Sequence, residues 1–243
     1  MTQVARRAVV TGGSGGIGFA CGELLAAEGY DVVLTSRRPE PLAEAADRIG
    51  ASWVAADAAD ETSFAQVLQD LDRVDLLVHA AGILDGTFVR KELPETFDRV
   101  IRINLRSTYV VTAATLPKMS AGGRIIFISS SAATHGMKGR AAYSASKAGM
   151  NAFAEALRDE VARDGIHVNV VTPAPVQTEM LQRVTFPMHT LQSTDVAQAV
   201  LFLDRLDPGV VVPEITMEAV SEGPLAPPPV LPEAYLAKTT EPA

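Results

Sequence analysis

Cysteine is nearly absent from this sequence, and its scarcity excludes two common ways of stabilising a fold. Cys21 is the single cysteine among the 243 residues, so the chain has neither an internal disulfide framework nor a cysteine cluster for a metal. We therefore predict no disulfide and no metal site. Cys21 stands in an apolar-periodic stretch, which predicts a small buried residue rather than a reactive thiol.

Positive charge is also in short supply. The chain has 21 lysines and arginines against 29 aspartates and glutamates, a formal net charge of −8 and a pI near 5.0. Nucleic acids and anionic membrane surfaces both require a basic patch on their protein partner. We therefore expect neither as a partner.

Long apolar runs are missing as well. The apolar run after Arg6 and Arg7 is "AVV", followed by a glycine turn, which is too short for a signal peptide. No run of eighteen apolar residues follows, so the sequence predicts no membrane span. We expect a cytoplasmic protein.

The chain is rich in alternating β-branched runs and longer Ala/Leu-rich helical patterns. Most of the β-branched runs are continuously apolar, as in strands that helices cover on both faces. The alternation predicts an α/β fold: a single-domain, Rossmann-like, doubly wound parallel β-sheet flanked by helices. The predicted strands are 7–11, 31–36, 52–56, 75–80, 124–130, 167–172 and 210–216.

The helical patterns carry boundary signals of their own. Glycine follows two of them, proline begins one, and polar residues suited to N-caps precede two others. The helices are predicted near 16–28, 40–49, 61–71, 95–119, 143–163 and 194–204, with the signals at Gly29, Gly50, Pro94, Asp60 and Thr194.

Proline is concentrated at the end of the chain. Residues 221–243 hold six of the fifteen prolines and show no hydrophobic period, which is typical of an extended segment. We predict one dinucleotide-binding and catalytic domain over 1–220 and a Pro-rich C-terminal tail over 221–243.

A glycine-rich turn, "TGGSGGIG" at 11–18, joins the first predicted strand to the first predicted helix. Gly12, Gly16 and Gly18 would permit a tight turn, close approach to a pyrophosphate and close packing of helix on strand. The helix N-terminus would then face the phosphates. The position after a first strand favours a dinucleotide site over a merely structural turn.

A second pattern, "AAYSASKAG" at 141–149, sets Tyr143 four residues before Lys147. Residues at i and i+4 project from the same face of a helix. Ionising a free tyrosine at neutral pH, against a pKa of about 10, costs roughly 4 kcal/mol. A cation about 4–5 Å away supplies roughly 3–4 kcal/mol at an effective dielectric constant of about 20. The magnitudes permit a phenolate base.

Together these motifs resemble the short-chain dehydrogenase/reductase family over roughly residues 5–217, in the family's order along the chain. "AAD" ending at Asp57, "HAAG" at 79–82, Asn104 in "RINLRS", Ser130 thirteen residues before Tyr143, and "TPAPVQT" at 172–178 match the family's other landmarks. His79 and Ala80 stand where the family has two asparagines, and Phe127 replaces a frequent strand asparagine.

The resemblance implies a catalytic set of Asn104, Ser130, Tyr143 and Lys147. Ser130 would hold the substrate oxygen, Tyr143 would pass the proton, Lys147 would grip the ribose, and Asn104 would hold a water that relays protons to Lys147. His79 is interpreted as structural, hydrogen-bonded to nearby backbone. The implied cofactor-binding residues are Gly12, Ser14, Gly15, Gly16, Ile17, Gly18, Arg37, Asp57, Ala58, Ala80, Gly82, Asn104, Tyr143, Lys147, Val176 and Thr178.

Cofactor choice is predicted from "TSRR" at 35–38. In a dinucleotide fold the end of the second strand faces the adenosine ribose, where an acidic residue would repel a 2′-phosphate. Ser36 occupies that position, and Arg37 can pair with the phosphate. Arg38 is interpreted as an exposed cap. NADP(H) is therefore predicted over NAD(H).

Our leading hypothesis is an oxidoreductase that interconverts a small, mainly apolar ketone and its secondary alcohol. A hydroxy acid and its corresponding ketone are the other substrate pair of this hypothesis. We expect the substrate to meet 83–88, 131–138 and 178–191, the last carrying Met180, Leu181, Val184, Phe186, Met188 and Leu191. Arg90, Lys91, Lys138 and Arg140 could meet a carboxylate, although solvated charge is the simpler interpretation.

Two alternatives stay open. One is a catalytically silent NAD(P)-binding sensor, which would need no proton relay. The other is a 3-ketoacyl-type reductase of carrier-bound acyl groups, which would dock through Arg99, Arg102 and Arg106. The helices at 95–119 and 143–163 predict a homo-oligomer, a dimer or a tetramer, because they offer more apolar surface than one sheet contact buries.

Overall fold

The computed structural model of the protein describes residues 5–183 and 188–220. Its centre is a seven-stranded sheet in the order β3-β2-β1-β4-β5-β6-β7, with every neighbouring pair parallel. This order confirms the predicted doubly wound sheet. The strands are β1 Arg7–Thr11, β2 Asp31–Ser36, β3 Ser52–Ala55, β4 Leu76–His79, β5 Arg124–Ile128, β6 His167–Pro173 and β7 Glu214–Met217.

Helices cover both faces of the sheet. They are α1 Gly16–Ala27, α2 Pro39–Ile49, α3 Glu61–Leu68, α4 Pro94–Ile101, α5 Ser107–Thr115, α6 Ala141–Val161 and α7 Ser193–Asp204. One apolar cluster packs α1, α2 and α7 on one face, and a second packs α3, α5 and α6 on the other. Successive strand residues point to opposite faces, so Val10 joins the first cluster and Val9 the second.

Most of the predicted helix boundaries are confirmed. Pro94 opens α4, Asp60 caps α3 by accepting from the Ser63 N–H at 2.7 Å, and Gly50 ends α2 with a left-handed φ of 66°. The N-cap predicted at Thr194 is wrong. Gln192 caps α7 instead, because its backbone N–H bonds the Asp195 carboxylate in a capping box.

The last strand also differs from its prediction. It begins at Glu214 rather than at 210, so "VVVP" leads into it instead of forming part of it. Cys21 is 1% exposed, as predicted, and burial raises the pKa of its thiol to about 12. Such a thiol is inert at neutral pH.

The helix predicted over 95–119 is interrupted. A π-helical turn, Arg102–Arg106, separates α4 from α5, and a 3₁₀ turn, Leu116–Lys118, follows α5. Asn104 lies within the π turn and is fully buried. Single π turns inside helices often mark functional sites, and this one brings Asn104 toward the chain that follows β4.

Three predicted features cannot be compared with the structure. Val184, Phe186 and the tail 221–243 lie outside the described residues, so the division into domain and tail stays a prediction. Within the described ranges, no helix combines the length and the apolar character needed to cross a membrane.

Candidate active site

A cleft of about 490 Å³ opens at the carboxyl ends of the parallel strands. It lies where the sheet order turns, between β1 and β4. At this position the connections leave toward opposite faces, and open α/β sheets bind their ligands there. Twelve of the predicted cofactor residues line it: Gly12, Ser14, Gly15, Gly16, Ile17, Gly18, Arg37, Asp57, Ala58, Ala80, Gly82 and Thr178.

The glycine loop forms the floor of the cleft because side chains are excluded from two of its positions. Gly12 has a φ of 72°, and a Cβ there would lie 2.9 Å from the Ala80 carbonyl oxygen. At Gly18 a Cβ would lie 2.3 Å from the Gly12 carbonyl oxygen. The start of α1 can therefore pack directly on the loop, and its free N–H groups border the cleft, as a diphosphate requires.

The end of β2 lines the cleft with Ser36, Arg37 and Arg38. Among the described residues, neither arginine has a carboxylate within salt-bridge distance. No acidic residue stands at the strand end to repel a phosphate. This wall of the cleft therefore presents one hydroxyl and two guanidinium groups.

Asp57, which follows β3, faces the same part of the cleft. Its carboxylate accepts from the Ala59 N–H at 3.0 Å and from Arg102 at 2.8 Å. Burial opposes ionisation of the carboxyl, but these two donors and the charge of Arg37 hold its pKa below the ordinary value. Asp57 is therefore an ionised acceptor at neutral pH.

Tyr143 and Lys147 lie one turn apart in α6, 8% and 5% exposed. The Lys147 Nζ donates to the Ile128 carbonyl oxygen, at the end of β5, at 2.7 Å. Two residues farther on lies Ser130, whose hydroxyl is close enough to Tyr143 to lower the pKa of the phenol. The structure thus brings Ser130, Tyr143 and Lys147 together as the sequence predicts.

Asn104 joins this group through the backbone of Ile83 and the hydroxyl of Ser146. Its Oδ1 accepts from the Ile83 N–H at 2.8 Å, and its Nδ2 donates to the Ile83 carbonyl oxygen and to the Ser146 hydroxyl. A Cβ on Gly82 would lie 3.3 Å from Asn104 Oδ1 and 3.9 Å from Lys147 Nζ. The asparagine therefore ties the chain after β4 to α6, and its role in holding a relay water stays a prediction.

The pKa values of Tyr143 and Lys147 bear on whether the permitted phenolate forms. Burial raises the pKa of Tyr143 above its ordinary value, although the Ser130 hydroxyl acts in the opposite direction. Burial also lowers the pKa of Lys147 to about 8. The phenol of Tyr143 carries its proton at neutral pH. Burial disfavours the charged phenolate by more than the Ser130 hydroxyl favours it.

Apolar side chains surround the buried phenol. Leu84, Val100, Ala132 and Ala142 pack with Tyr143, and partly buried residues from two of the predicted substrate segments border them: Ile83, Leu181 and Met188. The predicted apolar surroundings of the phenol are present. Leu191 is different, since it packs on the sheet core.

Of the four charged residues considered as carboxylate partners, Arg140 and Lys138 contact other groups of the protein, and Arg90 and Lys91 are exposed. Arg140 donates to the carbonyl oxygens of Gly86 and Gly139, so its guanidinium joins two loops beside the phenol. Lys138 lies over the ring of Phe88, 5.6 Å from its centroid. Arg90 and Lys91 are exposed in the turn that follows Phe88.

His79 is structural, as interpreted, but the predicted backbone partner is wrong. Its Nε2 lies 3.0 Å from the Thr112 hydroxyl, and its ring stacks on Phe127 at 4.6 Å between centroids. The side chain points beneath α5, where Thr112 is the polar group within reach. Burial, helped by the charge of Lys147, lowers the pKa of His79 to about 3, so the ring is neutral.

The three arginines predicted as a docking patch are each paired with a carboxylate. Arg99 pairs with Asp85, Arg102 with Asp57 at 2.8 Å and Arg106 with Glu61 at 3.3 Å. Their charges are locally compensated. This surface is therefore not the free basic patch that docking of an acidic carrier would use.

Four of the sixteen predicted cofactor residues are buried and do not line the cleft: Asn104, Tyr143, Lys147 and Val176. Val176 is 8% exposed, packs in the core and pairs with Leu191 instead of lining the cleft. The missed lining residues include Thr11, Thr35, Ile103 and Ser107, and Met180, expected to meet the substrate, also lines the cleft. Thr35 is the first residue of the segment 35–38 that we considered for cofactor choice, so its position could have suggested it.

Comparisons with known proteins agree with this geometry. A family model described as short chain dehydrogenase matches residues 6–187. Acetoacetyl-CoA reductase of Cupriavidus necator is 36% identical over 196 residues, 76% of this chain and 79% of that protein. The human 3-oxoacyl-[acyl-carrier-protein] reductase is 36% identical over 211 residues, 80% of this chain and 89% of that protein. A solved short chain dehydrogenase from Burkholderia cenocepacia J2315, in complex with NADP, superposes with a TM-score of 0.79 at 28% identity, covering 88% of this chain and 96% of that one.

Proposed function

The chain belongs to the short-chain dehydrogenase/reductase family, and on that premise we propose that it is an NADP(H)-dependent reductase of a small carbonyl compound. The observation that carries the proposal is the buried phenol of Tyr143, beside Ser130 and one helical turn from Lys147. This group lies beside a cleft suited to a dinucleotide. A sensor that binds the nucleotide alone would not need the proton relay that these side chains form together.

The protonated phenol is the form of Tyr143 that carbonyl reduction would use. A bound nicotinamide would supply hydride to the carbonyl carbon. The Ser130 hydroxyl would hold the carbonyl oxygen, and the protonated phenol of Tyr143 would give its proton to that oxygen as negative charge develops. The cationic Lys147 beside the phenol would stabilise the phenolate that remains.

The surroundings of the phenol support a small, mainly apolar substrate. Ile83, Leu84, Leu181 and Met188 would contact the groups on either side of the carbonyl. These side chains exclude water from the proton transfer, which strengthens each hydrogen bond to the developing charge. The simplest members of this class are small ketones and keto esters.

The proposed preference for NADP(H) rests on Ser36 and Arg37 at the end of β2. We expect at least a tenfold higher kcat/KM with NADPH than with NADH, a difference of about 1.4 kcal/mol or more. The double variant Ser36→Asp/Arg37→Ile should reverse the preference. Arg38→Ile is the matched control, since it removes one exposed charge from the same wall and should keep it.

Steady-state reduction of ethyl acetoacetate, followed by nicotinamide absorbance with each cofactor, tests both parts. Equal use of the cofactors by the wild type would refute the assignment of Arg37. Binding of NADPH without turnover on any carbonyl of a broad panel would favour the sensor alternative.

A second candidate is a reductase of 3-ketoacyl thioesters, and the names of two relatives favour it. Because Arg99, Arg102 and Arg106 are paired, a carrier protein would have to dock elsewhere. Acetoacetyl-CoA and ethyl acetoacetate share the reacting ketone. They differ in the group on the acyl carbon, which is a CoA thioester in one and an ethyl ester in the other. A kcat/KM for acetoacetyl-CoA at least a hundredfold higher than that for ethyl acetoacetate would establish 3-ketoacyl thioesters as the substrate class.

A further inference from the structure

A buried hydroxyl without a partner lines the cleft. Thr35 is 2% exposed and stands next to last in β2. Within the described part of the chain, Thr35 Oγ1 is the buried side-chain polar atom that has no hydrogen-bond partner. A buried hydroxyl left unpaired destabilises a fold, and valine would fill the same space without that cost.

Thr11, at the end of the neighbouring strand β1, has a hydroxyl whose hydrogen bonds are made within the protein. Thr11 is the register partner of Thr35 in β1, so both side chains leave the same face of the sheet. Thr11 Oγ1 accepts from the Ala81 N–H at 3.1 Å and donates toward the Val78 carbonyl oxygen at 3.4 Å. Both threonines line the cleft. Of the two hydroxyls, that of Thr35 makes no hydrogen bond within the described residues.

The position of Thr35 identifies the part of a dinucleotide that lies nearest. On one side its own chain continues into Ser36 and Arg37, which we assign to the ribose phosphate. On the other side it pairs with Val54 of β3, the strand that leads to Asp57. The hydroxyl therefore lies between the residues expected at the ribose and those expected at the adenine.

We propose that Thr35 is a cofactor-binding residue whose hydroxyl hydrogen-bonds the adenosine half of the dinucleotide. The inference rests on the proposed binding of a nicotinamide dinucleotide. A hydroxyl can both donate and accept, so ring nitrogens and ribose hydroxyls are both suitable partners. The ligand would complete a bond that the protein itself leaves unmade.

The test uses Thr35→Val, which keeps the shape and removes the hydroxyl. Without ligand the variant should melt at the wild-type temperature or above it. Its Kd for NADPH, measured by calorimetry, should rise about three- to tenfold, the loss of one hydrogen bond. Thr35→Ser should stay within twofold of the wild type. Thr115→Val is the control for the melting temperature of the free protein. Thr115 is also buried, but its hydroxyl donates to the Val111 carbonyl oxygen in α5.

Cofactor fragments locate the contact. Thr35→Val should weaken AMP and adenosine 2′,5′-bisphosphate by the same factor and leave nicotinamide mononucleotide unchanged. Arg37→Ile should weaken the bisphosphate alone.

Two results would overturn the assignment while the proposed function stands. One is an NADPH Kd of Thr35→Val within twofold of the wild type. The other is a lower melting temperature of the free variant, which would show that the hydroxyl has a partner inside the protein. Failure of the wild type to bind either dinucleotide would instead overturn the proposed function, and this inference with it.

Discussion

The neutral, buried histidine at the end of β4 should make the protein sensitive to mild acid. His79 has an ordinary pKa of 6.5, and in the fold burial and the charge of Lys147 lower that pKa to about 3. Between these two values the unfolded chain binds a proton that the folded chain does not. The free energy of unfolding must therefore fall as the pH falls below about 6.5.

The size of the effect follows from the two pKa values. Between pH 7 and pH 5, His79 alone should lower the free energy of unfolding by about 2 kcal/mol. Any folded pKa below about 4 gives nearly the same figure, because the folded histidine is then neutral throughout this range. The result depends on the burial of the ring rather than on the precise value.

The assay is urea unfolding followed by circular dichroism at pH 7, 6 and 5, at one protein concentration. His79→Asn removes the titrating group, so its stability should decline by about 2 kcal/mol less than that of the wild type over this range. His135→Asn is the control, since His135 is exposed in the loop after β5, and it should follow the wild type. Parallel declines for His79→Asn and wild type would refute the reasoning.

Three further outcomes are expected. Tyr143→Phe should bind NADPH almost normally but lose turnover by orders of magnitude, and a kcat above a tenth of wild type would exclude the phenol as proton donor. The reduction rate should fall as the pH rises through about 8, because Lys147, with its pKa near 8, then loses its charge; a flat profile to pH 10 would contradict that role. We also propose a homodimer or homotetramer, since Phe97 and Tyr109 on α4 and α5 are 42% and 57% exposed. Light scattering that shows a monomer at micromolar concentration would refute it.

The sequence by itself determined the features that depend on local pattern. Continuous apolar runs such as "RIIFI" predicted strands covered on both faces, because only such strands bury every side chain. The glycine spacing at 12, 16 and 18 predicted the floor of the cleft, and the spacing of Tyr143 and Lys147 set them on one face of α6. These properties need only the chain's own geometry.

The tertiary structure decided the features that depend on distant neighbours. Burial raises the pKa of Tyr143, and the desolvation of a phenol depends on what packs around it. The pairing of Arg102 with Asp57 joins residues that are 45 positions apart. The π turn at Asn104 accompanies its bonds to Ile83, which no local period shows. The unpaired hydroxyl of Thr35 depends on which of the described residues surround it in space, and no local pattern shows that.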